Sequence, residues 1–159
     1  MRSLQGEQTV SMPEVREATP EDLPEILRLY RQLHPDDPVL GEGRAAEIQE
    51  AILASPWFSI FLLEREGRIL ASCYLNLIPN LTRGGRPYAI IENVVTDEAF
   101  RGRGLGKALM GAVLGRAWAH GCYKAMLQTG SKRASTHAFY RACGFSGDDK
   151  KGYVARPPD

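Results

Sequence analysis

Two strand-like segments joined by a short turn constrain the fold of this chain more than any other feature. WFSIFLLERE and RILASCYLNLIP are rich in β-branched and aromatic residues, and Glu66-Gly67 lies between them. Such residues favour strands, and a glycine-containing turn between two runs of this kind is typical of an antiparallel hairpin. A third strand-like run, YAIIENVV, follows the polar loop NLTRGGR. The middle of the chain therefore predicts a sheet built around an antiparallel hairpin.

Helical segments flank these strands on both sides. After a short predicted strand, VREA, the residues Thr19-Pro20-Glu21-Asp22 supply an N-cap, a proline and acidic residues before the predicted helix LPEILRLYRQL. The apolar spacing of GRAAEIQEAILAS predicts a second helix. Later segments predict a helix over KALMGAVLGRAWAHG, a strand over YKAMLQT, a helix over RASTHAFYRACG that Gly144 ends, and a last strand that includes GYVA. This order predicts an α+β, or mixed α/β, fold with helices on both faces of a sheet.

Length and composition predict a single soluble domain. A chain of 159 residues that is 43% hydrophobic can bury one core but is short for two domains. We therefore expect one domain over residues 14–155, a mobile leader over residues 1–13 and a mobile tail over residues 156–159. The net charge of +1 gives no general attraction to nucleic acid or to an anionic membrane, so neither is an expected partner.

The cysteines and histidines predict neither disulfides nor a metal site. Cys73, Cys122 and Cys143 are widely spaced and form no CxxC pair. None of the histidines has a partner at a spacing typical of metal ligands. We therefore expect no bound metal. Free cysteines and a polar N-terminus without an apolar signal segment make the cytoplasm the expected location.

The stretch RGRGLG, Arg101 to Gly106, predicts an anion-binding turn. Glycine lets a ligand approach the backbone N–H groups at the start of a helix, where the helix dipole favours negative charge. A P-loop is disfavoured because Gly106-Lys107 is followed by Ala108, which cannot hold magnesium. A dinucleotide fingerprint would need GxGxxG after the first strand, whereas here GxGxG lies late in the chain. A glycine turn that merely joins a strand to a helix is the remaining alternative.

The segment IENVVTDEAFRGRGLGKALM resembles the acetyl-CoA signature of the GNAT superfamily of N-acetyltransferases, and Arg101, Gly104 and Gly106 match its pattern. AFYRACGF is similar to the fourth-helix signature of the same family. The resemblance covers roughly residues 88–146. It implies a central, mostly antiparallel sheet of about six to seven strands with helices on both faces. It also implies acetyl-CoA as cosubstrate, an amine as acceptor and no metal.

The resemblance also implies where the coenzyme binds. The N–H groups from Gly102 to Lys107 would converge on the pyrophosphate, and the cationic side chains of the turn would add charge. The main chain of the preceding strand would pair with the pantetheine arm, while its side chains would be ordinary core or edge residues. The cofactor-binding residues implied in this way are Val94, Val95, Thr96, Arg101, Gly102, Arg103, Gly104, Leu105, Gly106 and Lys107.

Acetyl transfer to an amine needs a base for the ammonium proton and an acid for the departing thiolate. Tyr140 occupies the position where many GNAT members place a tyrosine that faces the coenzyme sulfur, so it is the implied acid; a core tyrosine is the alternative. Glu92 lies in an otherwise apolar strand beside the thioester, and burial there would suit it to act as base, directly or through water. The alternative for Glu92 is a strand glutamate paired with an arginine. Gln128 stands where some members carry an acidic base, and an amide cannot accept the proton.

Two classes of function stay open at this point. The first is an N-acetyltransferase that transfers the acetyl group directly in a ternary complex, to a small molecule such as an amino sugar phosphate or to a peptide amine. GCYK together with FYRACGF is similar to glucosamine-6-phosphate N-acetyltransferases, which favours the amino sugar phosphate. The second class is a GNAT-fold module that binds acyl-CoA without turnover. The oligomeric state is also open, with a homodimer among the alternatives.

Overall fold

The computed structural model of the protein describes residues 12–158. Within them the strands are β1 (Glu14–Glu17), β2 (Phe58–Arg65), β3 (Arg68–Ile78), β4 (Tyr88–Thr96) and β5 (Ala125–Met126). The helices are α1 (Leu23–Leu33), α2 (Glu42–Leu53), α3 (Leu105–Ala119) and α4 (Ala134–Ala142). The strands form one sheet in the order β1-β2-β3-β4-β5. Neighbouring strands are antiparallel, except that β4 and β5 are parallel.

Helices cover both faces of this sheet. On one face α3 buries Leu109 and Val113 in the larger part of the hydrophobic core. On the other face α1 packs on β3 and β4, and its Ile26 and Leu29 share a second core with the fully enclosed Leu62 of β2. The predicted α+β architecture, with a mostly antiparallel sheet between helices, is therefore confirmed.

The start of α1 is tied to the edge of the sheet by charged groups. The Asp22 carboxylate accepts a hydrogen bond from the Thr19 N–H at 2.8 Å and pairs with the Arg16 guanidinium at 2.7 Å. Arg16 lies on β1 and also pairs with Glu64 of β2 at 2.7 Å. The hydrogen bonds from Arg16 lower the pKa of Asp22 to about 2. The capping residues predicted from sequence thus fix both the beginning of α1 and its position on the sheet.

The C-terminal part of the sheet differs from the prediction. The strand predicted over YKAMLQT is reduced to Ala125–Met126, and the strand predicted over GYVA does not form within the described residues. Tyr153 and Val154 are 85% and 67% exposed, so these two adjacent apolar residues find no surface to cover. The segment also follows two lysines and a glycine and leads into two prolines, which oppose a strand. The expected six to seven strands are therefore five in the described part of the chain.

Some expectations fall partly or wholly beyond the described residues. Of the predicted leader, residues 1–11 lie outside them, and of the predicted tail, Asp159 does. The division into a leader, a domain over 14–155 and a tail accordingly stays a prediction. Across residues 12–158, no helix is long and apolar enough to cross a membrane. The same residues contain no group of three or more His, Cys, Asp and Glu side chains that could hold a metal ion.

Candidate functional site

A gap between β4 and β5 forms the centre of the candidate site. The two strands pair only at Ala89 with Ala125 and at Ile90 with Met126. From Ile91 to Thr96, β4 therefore has no strand partner on this side within the described residues, although the Thr96 carbonyl accepts a hydrogen bond from Arg101. A cleft of about 1140 Å³ and a smaller cavity of about 210 Å³ adjoin the gap. Residues that line both are Glu92, Leu127, Gln128, Thr129 and Tyr140.

A β-bulge reshapes β4 beside this gap. Tyr74 of β3 lies opposite Glu92 and Ser72 lies opposite Val95, so two residues of β4, Asn93 and Val94, face the single residue between them on β3. Asn93 has φ +50°, a left-handed conformation that asparagine tolerates better than most residues. Bulges bend a strand and re-aim its side chains. The bulge thus marks the point where β4 turns away from regular pairing.

The glycine turn follows β4 and begins α3. Gly102 and Gly104 have φ of +73° and +77°, and Gly104 is the residue that caps the helix. No described residue accepts a hydrogen bond from the backbone N–H groups of residues 102–107. Free N–H groups at the start of a helix attract an anion. The predicted role of the turn in binding an anion is compatible with these open N–H groups and stays a prediction.

Gly106 is needed for packing rather than for its φ angle. A Cβ at this position would lie 3.1 Å from Thr96 Oγ1 and 3.3 Å from two ring carbons of Phe139. Because Gly106 has no side chain, Thr96 at the end of β4 and Phe139 of α4 can both pack against the first turn of α3. Because Tyr140 is the next residue on α4, this contact also sets the distance between the glycine turn and the tyrosine.

The charged side chains of the turn have different surroundings. Arg101 Nε donates to the Thr96 carbonyl at 3.1 Å, and Arg103 donates to the Ala99 carbonyl at 3.3 Å while lying over the Phe100 ring. Lys107 is exposed, and its charge acts to lower the pKa of Cys143 on the neighbouring helix, although burial raises that pKa more. Lys107 is therefore the cation of the turn that extends toward α4.

The remaining residues predicted to bind the coenzyme contribute main-chain groups. The Leu105 side chain is 8% exposed and belongs to the core below α3. Val95 is 4% exposed in the core under α1, and Val94 packs against the core on the other face. Thr96 is half-buried and contacts the first turn of α3. The side chains of Leu105 and Val95 are thus buried away from a ligand, whereas Val94 also lines the smaller cavity.

Tyr140 reaches the gap from α4. Its ring packs edge-on against Phe139 and Phe145, with centroid distances of 5.1 and 6.2 Å. Burial raises the pKa of its phenol, with smaller contributions from Cys73, Cys143 and Glu92. The hydroxyl makes no hydrogen bond within residues 12–158, so it is a neutral donor without a protein acceptor.

Glu92 reaches the same gap from β4, but its environment differs from the expected one. The sequence places it in an apolar run, which predicted burial, whereas the side chain is exposed in the structure. The reason is that β5 ends at Met126 and leaves this part of β4 uncovered. Glu92 also has no arginine partner within the described residues. Glu92 and Tyr140 nevertheless line the same two cavities.

Sequence reasoning missed three residues that shape this site. Asn93 forms the bulge, Asp97 is a buried carboxylate at the end of β4, and Gln32 on α1 accepts a hydrogen bond from the Glu98 N–H at 2.9 Å. A signal existed for Asp97, because an aspartate directly after an apolar strand and before Glu98 is typical of a capping residue. Nothing in the sequence connects Gln32 with a residue more than sixty positions away.

Comparison with known proteins places this geometry in a family. Residues 23–145 match the Acetyltransferase (GNAT) family. The chain is 33% identical over 138 residues to glucosamine 6-phosphate N-acetyltransferase of Trypanosoma brucei brucei, covering 87% of this chain and 92% of that protein. It is 26% identical over 151 residues to aminoglycoside N(6')-acetyltransferase type 1 of Stenotrophomonas maltophilia, covering 92% and 95%.

A solved structure agrees with these sequence relatives. A protein of Agrobacterium tumefaciens described as an acetyltransferase superposes with a TM-score of 0.86 at 44% identity, and the match covers 91% of this chain and 99% of that one. The family match extends over most of the chain, including the glycine turn and α4. The chain therefore belongs to the GNAT superfamily of N-acetyltransferases, enzymes that take the acetyl group from acetyl-CoA.

Proposed function

We propose that this chain transfers the acetyl group of acetyl-CoA directly to a primary amine within a ternary complex. The observation that carries the proposal is the gap between β4 and β5, which leaves a strand edge free beside Tyr140 and Glu92. Farther along the chain, the six N–H groups of residues 102–107 have no acceptor among the described residues. An extended thioester arm with a pyrophosphate at one end matches that combination of groups. No covalent intermediate on the protein is required.

The coenzyme would lie along β4 with its pyrophosphate at the glycine turn. The N–H groups of residues 102–107 would donate to the phosphate oxygens at the positive end of the α3 dipole. Lys107 would add a nearby positive charge, while Arg101 and Arg103 would contribute to the positive field from their positions against backbone carbonyls. The main chain of residues 94–96 would pair with the pantetheine arm as an additional strand.

The reaction would need one proton removed and one supplied. The amine nitrogen attacks the thioester carbonyl carbon, the carbon–sulfur bond breaks, and the amine loses its extra proton to Glu92 or to a water bound by Glu92. Tyr140 would give its phenolic proton to the departing sulfur. Burial suits it to this task, because a raised pKa keeps the phenol protonated well above neutral pH. The exposed position of Glu92 suits exchange of the proton with solvent.

The acceptor we favour is an amino sugar, and among amino sugars one that carries a phosphate. The two curated relatives are named for glucosamine 6-phosphate and for aminoglycosides, and both kinds of compound carry amines on sugar rings. The cleft also presents both polar and apolar side chains, including Lys124 and Trp118. A peptide amine is the other acceptor to test.

We further propose that residues 14–155 act as one domain in the reducing cytoplasm, in keeping with three free cysteines.

The experiment is a measurement of acetyl-CoA-dependent thiol release with a panel of amines. Glucosamine 6-phosphate, glucosamine, an aminoglycoside and a peptide with a free amine are compared at equal concentration, with acetylated product identified by mass spectrometry. Fast turnover with an amino sugar supports the proposal, and a preference for the peptide would change the acceptor class. Tight acetyl-CoA binding without turnover on any amine would instead indicate the non-catalytic acyl-CoA-binding module.

A further inference from the structure

Helix α1 contacts the start of the glycine turn through two residues on one side of the helix. Arg28 Nη1 pairs with Asp97 Oδ2 at 2.7 Å, and Gln32 Oε1 accepts from the Glu98 N–H at 2.9 Å. Residues four positions apart on a helix lie one above the other on the same face. Two successive helical turns of α1 therefore contact Asp97 and Glu98, which lie between β4 and the glycine turn.

Asp97 is the fixed point of this contact. Its side chain is 2% exposed, and besides Arg28 it pairs with Arg68 of β3 at 3.2 Å and accepts from the Ala99 N–H at 3.1 Å. Burial alone would raise the pKa of the Asp97 carboxyl, but the hydrogen bonds from Ala99, Arg28 and Arg68 lower it. The backbone N–H of Asp97 also donates to the Leu70 carbonyl at 2.8 Å. Such a fully bonded carboxylate holds the end of β4 in one position.

Beyond this point residues 101–104 are exposed and loosely held, whereas Leu105 is anchored in the core and Gly106 packs against Thr96 and Phe139. Two residues of the turn are glycines with positive φ, and the N–H groups of residues 102–107 have no acceptor within the described chain. Arg101 and Arg103 bond back to carbonyls that precede the turn. The path of residues 101–104 toward α3 therefore starts from Asp97 and Glu98, where α1 makes its two contacts.

We propose that Gln32, together with Arg28, is a positioning residue for acetyl-CoA and that α1 braces the turn that receives the pyrophosphate. This inference rests on the proposed coenzyme site. Gln32 does not touch the coenzyme; its side-chain oxygen fixes the Glu98 amide, and the orientation of the following N–H groups depends on that bond. Losing the bond leaves the turn free to move and lowers the fraction of molecules in which these groups converge.

The test compares Gln32→Leu with wild type in the full chain. A hydrogen bond contributes about 1 kcal/mol in net terms, so acetyl-CoA affinity measured by calorimetry is expected to fall about two- to tenfold. The melting temperature without ligand should fall by no more than about 2–4 °C, because one hydrogen bond is lost and Gln32 lies outside both buried cores. Once an acceptor is known, the KM for acetyl-CoA should rise while kcat changes little. Gln32→Glu keeps an acceptor oxygen and should restore the affinity.

Two further variants make the outcome decisive. Arg31→Leu changes the exposed neighbour on the same helix and should leave affinity unchanged. If Gly104→Glu binds acetyl-CoA as well as wild type does, the coenzyme site itself is wrong and the brace fails with it. Two results would leave the coenzyme site standing and show that the brace is wrong, provided that Gly104→Glu loses binding. Gln32→Leu could keep wild-type affinity for acetyl-CoA, or Arg31→Leu could lose as much affinity as Gln32→Leu.

Discussion

Tyr140→Phe is the substitution that tests the proposed chemistry most directly. It removes the phenolic proton and leaves the ring, whose edge contacts with Phe139 and Phe145 at 5.1 and 6.2 Å remain available. Since the hydroxyl has no partner in the described part of the chain, its loss orphans no polar group. The free energy of unfolding should change by about 1 kcal/mol or less. Acetyl-CoA affinity should also be preserved, because the glycine turn is untouched.

The expected effect on rate is much larger than the effect on stability. Loss of a general acid typically slows a reaction about 10²- to 10⁴-fold, which corresponds to about 2.7–5.5 kcal/mol on the activation barrier. Single-turnover measurements with enzyme in excess are the suitable assay, because slow product release could hide a change in the chemical step. Tyr153→Phe is a matched control, since Tyr153 lines the same cleft but is 85% exposed.

The pH dependence provides an independent check on the same residue. Burial raises the pKa of Tyr140 above its ordinary value of 10.0, so the acid form persists throughout neutral and moderately alkaline solution. The single-turnover rate of wild type should therefore fall only at a pH above 10.0, where the Tyr140 phenol begins to lose its proton. This decline should be missing in Tyr140→Phe. A Tyr140→Phe enzyme with the full wild-type rate, or one with the same alkaline decline, would refute the assignment of Tyr140 as acid.

Three other substitutions test separate parts of the structure. Gly104→Glu should abolish acetyl-CoA binding in calorimetry, since it adds a carboxylate at the unbonded N–H groups; Gly104→Ala controls for strain at φ +77°. Glu92→Gln should slow turnover at neutral pH, its turnover rate should recover partly at high pH, and its coenzyme affinity should stay unchanged. A pH–rate profile identical to that of wild type would show that another group takes the proton. Asp22→Asn should reduce the loss of thermal stability that wild type undergoes as the pH falls from 3.8 to about 2, because the lowered pKa of Asp22 stabilises the fold only while its carboxyl is ionised. Asp97, whose pKa is also lowered, should supply the loss that remains. An equally steep loss in the variant would show that Asp22 contributes none of it.

The elements that sequence predicted well are those with strong local signals. Helix α1 was predicted over its observed bounds, because Thr19-Pro20 and Asp22 specify its start and the segment after His34 contains two prolines. The β2–β3 hairpin was also predicted, since two β-branched runs around Glu66-Gly67 have few other ways to bury their side chains. The glycine turn was predicted from the stretch RGRGLG before a helical run, because glycine leaves the backbone N–H groups at the start of a helix open to a ligand.

The elements that sequence predicted poorly depend on which partner a strand finds. YKAMLQT has the composition of a full strand, yet β5 pairs with β4 at two positions. The exposure of Glu92 follows from this short pairing and not from its own neighbours in sequence. The contacts of Asp97 and Gln32 likewise join segments that are far apart along the chain. Local composition carries no information about such distances, so these features had to come from the structure.

The same short pairing explains why a strand of this composition can form a binding site. ENVVT on β4 would extend a regular sheet if β5 continued beside it, and its N–H and C=O groups would then be consumed by the ladder. Because β5 ends at Met126, those groups are left facing a cleft, and the bulge at Asn93 turns them further from regular pairing. The N–H groups of residues 97–100, which follow the strand, are hydrogen-bonded, and donors without an acceptor in the described chain recur at residues 102–107. An unpaired strand edge ordinarily invites another strand. We propose that here the free edge instead receives the extended arm of the coenzyme, whose anionic end would lie at the glycine turn, and that this depends on β5 staying short.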